Sequence, residues 1–163
     1  MKEKPSLLDL FCGMGGWSIG FYRAGFDCTG VDIVDVGYPY RFVLSDIRNY
    51  HPDRRYDVVV ASPPCTEFSP LTKLSAYKGE RPPPDPEKGM VLVREAVRVI
   101  DEAKPKFWVL ENVYGSIPYI SQILGAPSLI ARPWVLWSNF QIPSPTPAPG
   151  ARVNKGGNKL GLP

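Results

Sequence analysis

The amino-acid sequence predicts an α/β protein built on a doubly wound, mostly parallel sheet. Four short apolar runs are rich in Val, Leu and Ile, which is typical of strands that a parallel sheet buries on both faces. Helical patterns lie between these runs, and the alternation of strand and helix is the mark of this fold class. The 163 residues, 44% hydrophobic and 12% aromatic, suffice for one domain with a core of its own.

The four apolar runs are the predicted parallel strands. Each run is six or seven residues long and is bounded by Gly, Pro or charged residues, as strands usually are. In chain order they are "SLLDLF" (6–11), "DCTGVDI" (27–33), "YDVVVAS" (56–62) and "KFWVLEN" (106–112). The stretch "LIARPWVLWSNF" (129–140) predicts a late strand or hairpin.

Two helices are predicted between the strands. The longer one follows the third strand: Asp85 can cap it, Pro86 suits its first position, and Lys104–Pro105 ends it. Its apolar residues recur at helical spacing, at positions Met90, Val93, Val97 and Ile100. A shorter helix is expected from Gly16 to Ala24. The Pro-rich, charged stretch from Pro70 to Gly89 indicates a mobile loop.

Composition and charge narrow the functional classes. The sequence has no run of 18 apolar residues and no signal-peptide pattern at its start, so we expect a cytoplasmic protein without a membrane span. Three cysteines without a CxxC pair, together with a single histidine, argue against a disulfide framework, a zinc site or another bound metal.

The net charge of +3 gives weak support for a nucleic-acid partner, because it lies entirely at the end of the chain. The basic residues there are Arg152, Lys155 and Lys159, and no acid accompanies them. The same segment is rich in Pro and Gly without a period. We therefore expect one domain over 1–140 and a Pro/Gly-rich basic tail over 141–163.

The chemically interesting residues collect at one edge of the predicted sheet. The four strands end in "DLFCGMGG", "VDI", "SPPC" and "ENV", and ligands of open α/β sheets bind outside the carboxyl ends of the strands. Gly13 and Gly15 allow a tight turn there, and Asp32 can accept hydrogen bonds from a ribose. Because Ser18 stands where a dinucleotide site has glycine, a nucleoside ligand without phosphates fits better, and S-adenosylmethionine is such a ligand. A turn that only redirects the chain is the alternative.

Cys65 and Glu111 form a plausible catalytic pair at that edge. Pro63 and Pro64 stop the third strand and hold Cys65 in one stiff direction. A lone cysteine or a lone strand-end glutamate is more often structural, but the two together suit a specific reaction. A thiolate can add to carbon 6 of cytosine while a protonated carboxyl group acts on ring nitrogen 3, which makes carbon 5 nucleophilic.

The ordered motifs "DLFCGMGGWSIGF", "GVDI", "SDI", "PPCTEFS" and "ENV" resemble those of the DNA (cytosine-5) methyltransferase family over residues 6 to about 140. The resemblance implies the Rossmann-like fold of class I S-adenosylmethionine-dependent methyltransferases, with DNA as substrate. It implies a nucleophile at Cys65, an acid at Glu111, a partner that positions the Cys65 loop at Asn112, and a base-contacting arginine at Arg132. The implied cofactor-binding residues are Phe11, Gly13, Gly15, Asp32, Ile33, Asp46, Ile47 and Pro64.

The sequence also departs from the family pattern. Thr66 follows the cysteine where the family has glutamine. From the length of the sequence we expect these residues not to include the family's target recognition domain. "KGGNKLG" (155–161) is a faint candidate for the family's last motif. The favoured hypothesis is a minimal DNA methyltransferase, with a second chain or a homo-oligomer supplying target recognition. The alternatives are an RNA cytosine methyltransferase and an inactive module or fragment that binds S-adenosylmethionine.

Overall fold

The computed structural model of the chain describes residues 3–143 and contains one seven-stranded sheet. Most of the predicted tail, residues 144–163, lies outside the described residues. The strands are β1 (Ser6–Leu10), β2 (Asp27–Asp32), β3 (Arg41–Leu44), β4 (Val58–Ala61), β5 (Phe107–Val113), β6 (Leu129–Ala131) and β7 (Trp134–Ser138). The helices are α1 (Gly16–Arg23), α2 (Pro70–Tyr77), α3 (Pro86–Ala103) and α4 (Ile117–Leu124).

The sheet has the order β3-β2-β1-β4-β5-β7-β6. The first five of these strands run parallel, whereas β7 pairs antiparallel with both β5 and β6. The strand order reverses at β1, beside β4, and this is the position at which open α/β sheets bind ligands. The predicted doubly wound, mostly parallel fold is confirmed, as is the late hairpin.

Two apolar clusters cover the two faces of the sheet, because strand side chains alternate between the faces. On the α3 face, Leu8 and Leu10 of β1 pack with Val93 and Val99 of α3, and all four are 0% exposed. On the α1 face, Leu7 packs in a smaller cluster that includes the partly buried Trp17 and Phe21 of α1. The four buried strands therefore carry the near-continuous apolar runs of the sequence.

The two predicted helices are present with the expected ends. The side chain of Asp85 accepts hydrogen bonds from the backbone N–H groups of Glu87 and Lys88, which caps α3, and Pro86 occupies its first turn. Lys104 ends α3 in a left-handed conformation, with φ at 45°. The helix α1 ends at Arg23.

The prediction of a loop over 70–89 is wrong for much of its length, because it contains α2 and the start of α3. Ser69 caps α2 by accepting a hydrogen bond from the N–H of Leu71, and Pro70 stands in the first turn. Thr72 then ties the helix back by donating to the carbonyl of Thr66. The many prolines concealed a helix that begins at one of them.

Two further elements were not predicted. The strand β3 is a four-residue edge strand without a fully buried position, so it lacks a continuous apolar signal. The helix α4 is apolar almost throughout, which makes its periodicity hard to separate from that of a buried strand. Among residues 3–143, no helix combines the length and apolarity that crossing a membrane requires.

Candidate active site

A cavity of about 560 Å³ lies at the carboxyl ends of β1, β2 and β4. Its volume falls in the range of about 300–1,000 Å³ that is usual for small-molecule sites. Six residues predicted to bind the cofactor line it, and they are Phe11, Asp32, Ile33, Asp46, Ile47 and Pro64. The remaining lining includes the apolar side chains of Val91 and Leu92 on α3. The cavity is therefore mostly apolar, with two carboxylates and the basic residues Arg48 and Lys88 at its wall.

The turn after β1 fixes the carboxylate of Asp32. The N–H of Gly13 donates to one oxygen over 2.9 Å, and the N–H of Ile33 donates to the other over 2.8 Å. Each carboxylate oxygen has a further lone pair, so Asp32 keeps acceptor capacity for a ligand in the cavity. Gly13 thus acts on the cavity through Asp32.

Gly13 and Gly15 are not among the residues that line the cavity, and contact of either glycine with the cofactor stays a prediction. Both have positive φ angles, of 48° and 84°, so their main role is to form the turn. A Cβ on Gly15 would lie 3.1 Å from the ring of Tyr38, so this glycine also permits close packing under the turn.

Asp46 lies at the wall of the cavity and is held by Arg48. Its carboxylate accepts hydrogen bonds from the backbone N–H of Arg48 at 2.9 Å and from the guanidinium group at about the same distance. These hydrogen bonds lower the pKa of Asp46 to about 2, so the carboxylate stays ionised. Contact of Asp46 with the cofactor stays a prediction.

Asn112 holds the turn that carries Cys65. Its Nδ2 donates to the carbonyl oxygen of Pro63 over 3.0 Å, and its Oδ1 accepts from the N–H of Val113 over 2.9 Å. Asn112 is 1% exposed, so this contact between β5 and the β4 turn is shielded from water. The structure thereby ties the cysteine turn to the strand that carries Glu111.

Cys65 is the most accessible of the three free cysteines. It is partly exposed just after the Pro63–Pro64 turn, and its carbonyl accepts from the N–H of Phe68 over 3.0 Å. Cys12 and Cys28 are buried, and burial raises the pKa of their thiols to about 12 and about 11. Reactive thiol chemistry among these residues is therefore best suited to Cys65.

Glu111 lies beside the end of β4. The parallel register pairs Ala61 with Leu110, so the next residues along each strand, Ser62 and Glu111, are neighbours. Burial raises the pKa of the Glu111 carboxyl above its ordinary value, and the nearby hydroxyl of Ser62 offsets part of that rise. A carboxyl group with a raised pKa is better able to hold a proton for a substrate.

Arg132 lies at the turn of the β6–β7 hairpin, where it is exposed. Its guanidinium carbon is 4.2 Å from the centre of the Tyr114 ring, a cation–π contact. The N–H of Tyr114 also donates to the carbonyl of Pro133 over 3.0 Å. Arg132 is thus tied to the segment just after β5, three residues beyond Glu111 in sequence.

Two residues that support the Cys65 turn were not predicted. Phe68 is 2% exposed and packs against Tyr119, with ring centres 5.8 Å apart. A Cβ on Gly115 would overlap the carbonyl oxygen of Phe68, so only glycine allows this approach. A glycine directly after "ENVY" and an isolated aromatic residue after the cysteine were the available sequence signals.

Comparison with known proteins identifies the family. The model of the C-5 cytosine-specific DNA methylase family matches residues 6–117, which is more than half of the chain. The chain belongs to this family. The matched region of this chain contains both Cys65 and Glu111.

The relatives of the chain include a type II methyltransferase of Haemophilus parahaemolyticus, M1.HphI, which is 36% identical over 65% of this chain and 32% of its own length. The type II methyltransferase M.AquIA of Picosynechococcus is 34% identical over 72% of this chain and 51% of its own. A putative DNA modification methyltransferase encoded within an E. coli prophage superimposes with a TM-score of 0.53 at 25% identity, covering 72% of this chain and 34% of its own. The chain thus spans only about a third to a half of these proteins.

Proposed function

We propose that this methylase domain transfers a methyl group from S-adenosylmethionine to carbon 5 of cytosine in DNA, through a covalent bond to Cys65. The observation that carries the proposal is the buried hydrogen bond from Asn112 to Pro63, because it joins the cysteine turn to the strand of Glu111. Both groups lie at the edge of the sheet that also forms the cavity.

The cavity suits the cofactor in its chemistry. Asp32 offers carboxylate oxygens to ribose hydroxyls, and Phe11, Ile33 and Ile47 offer apolar surface to a base. When bound, S-adenosylmethionine supplies an electrophilic methyl group. Pro64 lines the cavity and directly precedes Cys65, so the methyl donor and the thiol belong to adjoining sites.

The residues of the chain have distinct roles in the proposed reaction. The Cys65 thiolate adds to carbon 6 of a cytosine that has been flipped out of its duplex. Glu111 acts as the acid at ring nitrogen 3, where the added electron density collects, and this makes carbon 5 nucleophilic. Carbon 5 takes the methyl group, and S-adenosylhomocysteine is released. Water then takes the carbon 5 proton, the electrons of that C–H bond re-form the ring double bond, Cys65 leaves as the thiolate, and the proton on ring nitrogen 3 returns to Glu111. Asn112 positions the turn, and Arg132 contacts the base or its adduct.

Target recognition falls to another part of the assembly in this proposal. The relatives are two to three times as long as the part that this chain matches, and Thr66 replaces the glutamine of the family motif. A second chain or a homo-oligomer would then supply contacts with the DNA sequence.

Methyl transfer from S-adenosylmethionine labelled in its methyl group tests the proposal. The protein is incubated in parallel with duplex DNA, RNA and free nucleosides, and the labelled base is identified by mass spectrometry. We expect 5-methylcytosine in DNA and none with Cys65→Ser, which should still bind the cofactor. Methyl label in RNA alone would show that the substrate is RNA and not DNA. Cofactor binding without transfer to any substrate, by the protein alone or with a partner chain, would favour an inactive module.

A further inference from the structure

The helix α1 contacts the end of β4 through one specific hydrogen bond. The indole Nε1 of Trp17 donates to the Oγ of Ser62 over 3.0 Å. Trp17 is the second residue of α1 and packs in the apolar cluster on that face of the sheet, so its ring is held in place. Because an indole N–H can only donate, Ser62 must be the acceptor in this contact.

The acceptor role of Ser62 in this contact leaves its own proton available for another partner. The register pairs Ala61 with Leu110, so Ser62 and Glu111 are the next positions along the two strands. Alternation along the strands puts both on the α1 face, where Val60 and Val109 pack. The nearby hydroxyl of Ser62 lowers the pKa of the Glu111 carboxyl, against the rise that burial causes. With one lone pair of Ser62 occupied by Trp17, its single O–H remains free to donate to Glu111.

We propose that Trp17 and Ser62 form a hydrogen-bond relay that positions Glu111, with Trp17 acting only through Ser62. The inference rests on the proposed function, since it assigns positioning residues to the acid of that reaction. One carboxyl oxygen of Glu111 accepts from Ser62, so the proton needed for the substrate resides on the other oxygen. The relay thereby selects which oxygen faces the base.

The relay also joins the two halves of the site. Trp17 lies two residues after Gly15, at the start of α1. The turn before it contains Gly13, whose N–H donates a hydrogen bond to Asp32. The turn that forms the cofactor wall and the acid that acts on the base are therefore connected through one short helix. A displacement of the start of α1 would alter both.

The test is the titration of Glu111 followed by carbon-13 NMR of its side-chain carboxyl, in protein without substrate. A donor to the carboxylate favours its ionised form, so Ser62→Ala should lower the proton dissociation constant of Glu111 about threefold to tenfold. Trp17→Phe keeps the ring packing and should give a smaller change in the same direction. The double variant should match Ser62→Ala alone, and Ser62→Thr, which retains the hydroxyl, should restore the wild-type titration.

A structural role for Trp17 predicts a different pattern. The relay is overturned if Trp17→Phe changes the titration of Glu111 further in protein that already carries Ser62→Ala. It is also overturned if Ser62→Ala leaves the titration of Glu111 unchanged. The alkaline limb of the pH profile of methyl transfer should move to higher pH in Ser62→Ala, because Glu111 then keeps its proton longer. A wild-type protein that transfers no methyl group but shows the expected titrations would refute the proposed function and leave the relay intact.

Discussion

Removing the side chain of Asn112 tests the link between β5 and the cysteine turn. Asn112→Ala deletes two hydrogen bonds, one to the carbonyl of Pro63 and one from the N–H of Val113. Asn112 is 1% exposed, and its hydrogen bond to Pro63 is buried, so water does not readily replace it, whereas the hydrogen bond from Val113 is partly buried. Each buried polar group left without a partner costs about 1–3 kcal/mol, so we expect unfolding to become easier by roughly 2–4 kcal/mol.

Asn139 provides a matched control at the opposite end of β5. Its Oδ1 accepts from the N–H of Trp108 over 2.9 Å, and its Nδ2 donates to the carbonyl of Lys106 over 3.0 Å. Asn139 is exposed, so water can replace both contacts in Asn139→Ala. The expected cost is roughly 1 kcal/mol or less.

Urea denaturation followed by tryptophan fluorescence compares the two variants, and labelled cofactor measures methyl transfer. Asn112→Ala should be the less stable variant and should lose most of its transfer at a temperature at which it remains folded. Asn139→Ala should transfer methyl groups at the wild-type rate. Equal costs for the two variants, or full activity of Asn112→Ala, would refute the assigned link.

Three further outcomes are expected. Burial raises the pKa of Asp9 to about 7, against about 3.8 for an ordinary aspartate, so the folded state binds a proton that the unfolded state lacks between these values. As pH falls from 7 to 4, the free energy of unfolding of the wild type should therefore rise by up to about 4 kcal/mol relative to that of Asp9→Asn. The same pH dependence in both proteins would contradict this. Gly115→Ala should lower the free energy of unfolding by about 1–3 kcal/mol, because the added Cβ overlaps Phe68. Gly20→Ala has open space around the added Cβ and should not destabilise the protein. Equal melting temperatures of the two variants would contradict this. In calorimetric titration, Asp32→Ala should weaken binding of S-adenosylmethionine by about 1–3 kcal/mol. Asp35 is not part of the cavity wall, so the Asp35→Ala protein should bind the cofactor with the wild-type affinity. Equal affinities of the two variants would exclude Asp32 from the site.

Much of the fold was predictable because buried parallel strands carry continuous apolar signals. The strands β1, β2, β4 and β5 and the capped helix α3 follow from local sequence. The edge strand β3 and the helix α2 could not be predicted from local sequence. An edge strand gains its stability from pairing, and α2 begins within a Pro-rich segment. These elements depend on tertiary contacts that a local pattern does not contain.

Most residues of the candidate site could be predicted from the sequence, but the contacts that hold them in place could not. The strand-end positions of Asp32 and Glu111 follow from the order of the motifs. That Gly13 acts through Asp32 is a matter of backbone geometry, and the hydrogen bond from Trp17 to Ser62 joins residues 45 positions apart. The close approach of Gly115 to Phe68 likewise depends on how two loops pack. Such contacts require the three-dimensional structure.

Trapping the covalent adduct tests the central claim most directly. Duplex DNA that carries 5-fluorocytosine has no proton to lose from carbon 5 after methyl transfer, so Cys65 cannot be expelled and the protein should stay attached to the DNA. Mass spectrometry of the digested complex, formed with S-adenosylmethionine and any required partner chain, should locate the methylated base on Cys65, with no adduct in Cys65→Ser. An adduct on Cys12 or Cys28, or methyl transfer undiminished in Cys65→Ser, would contradict the account.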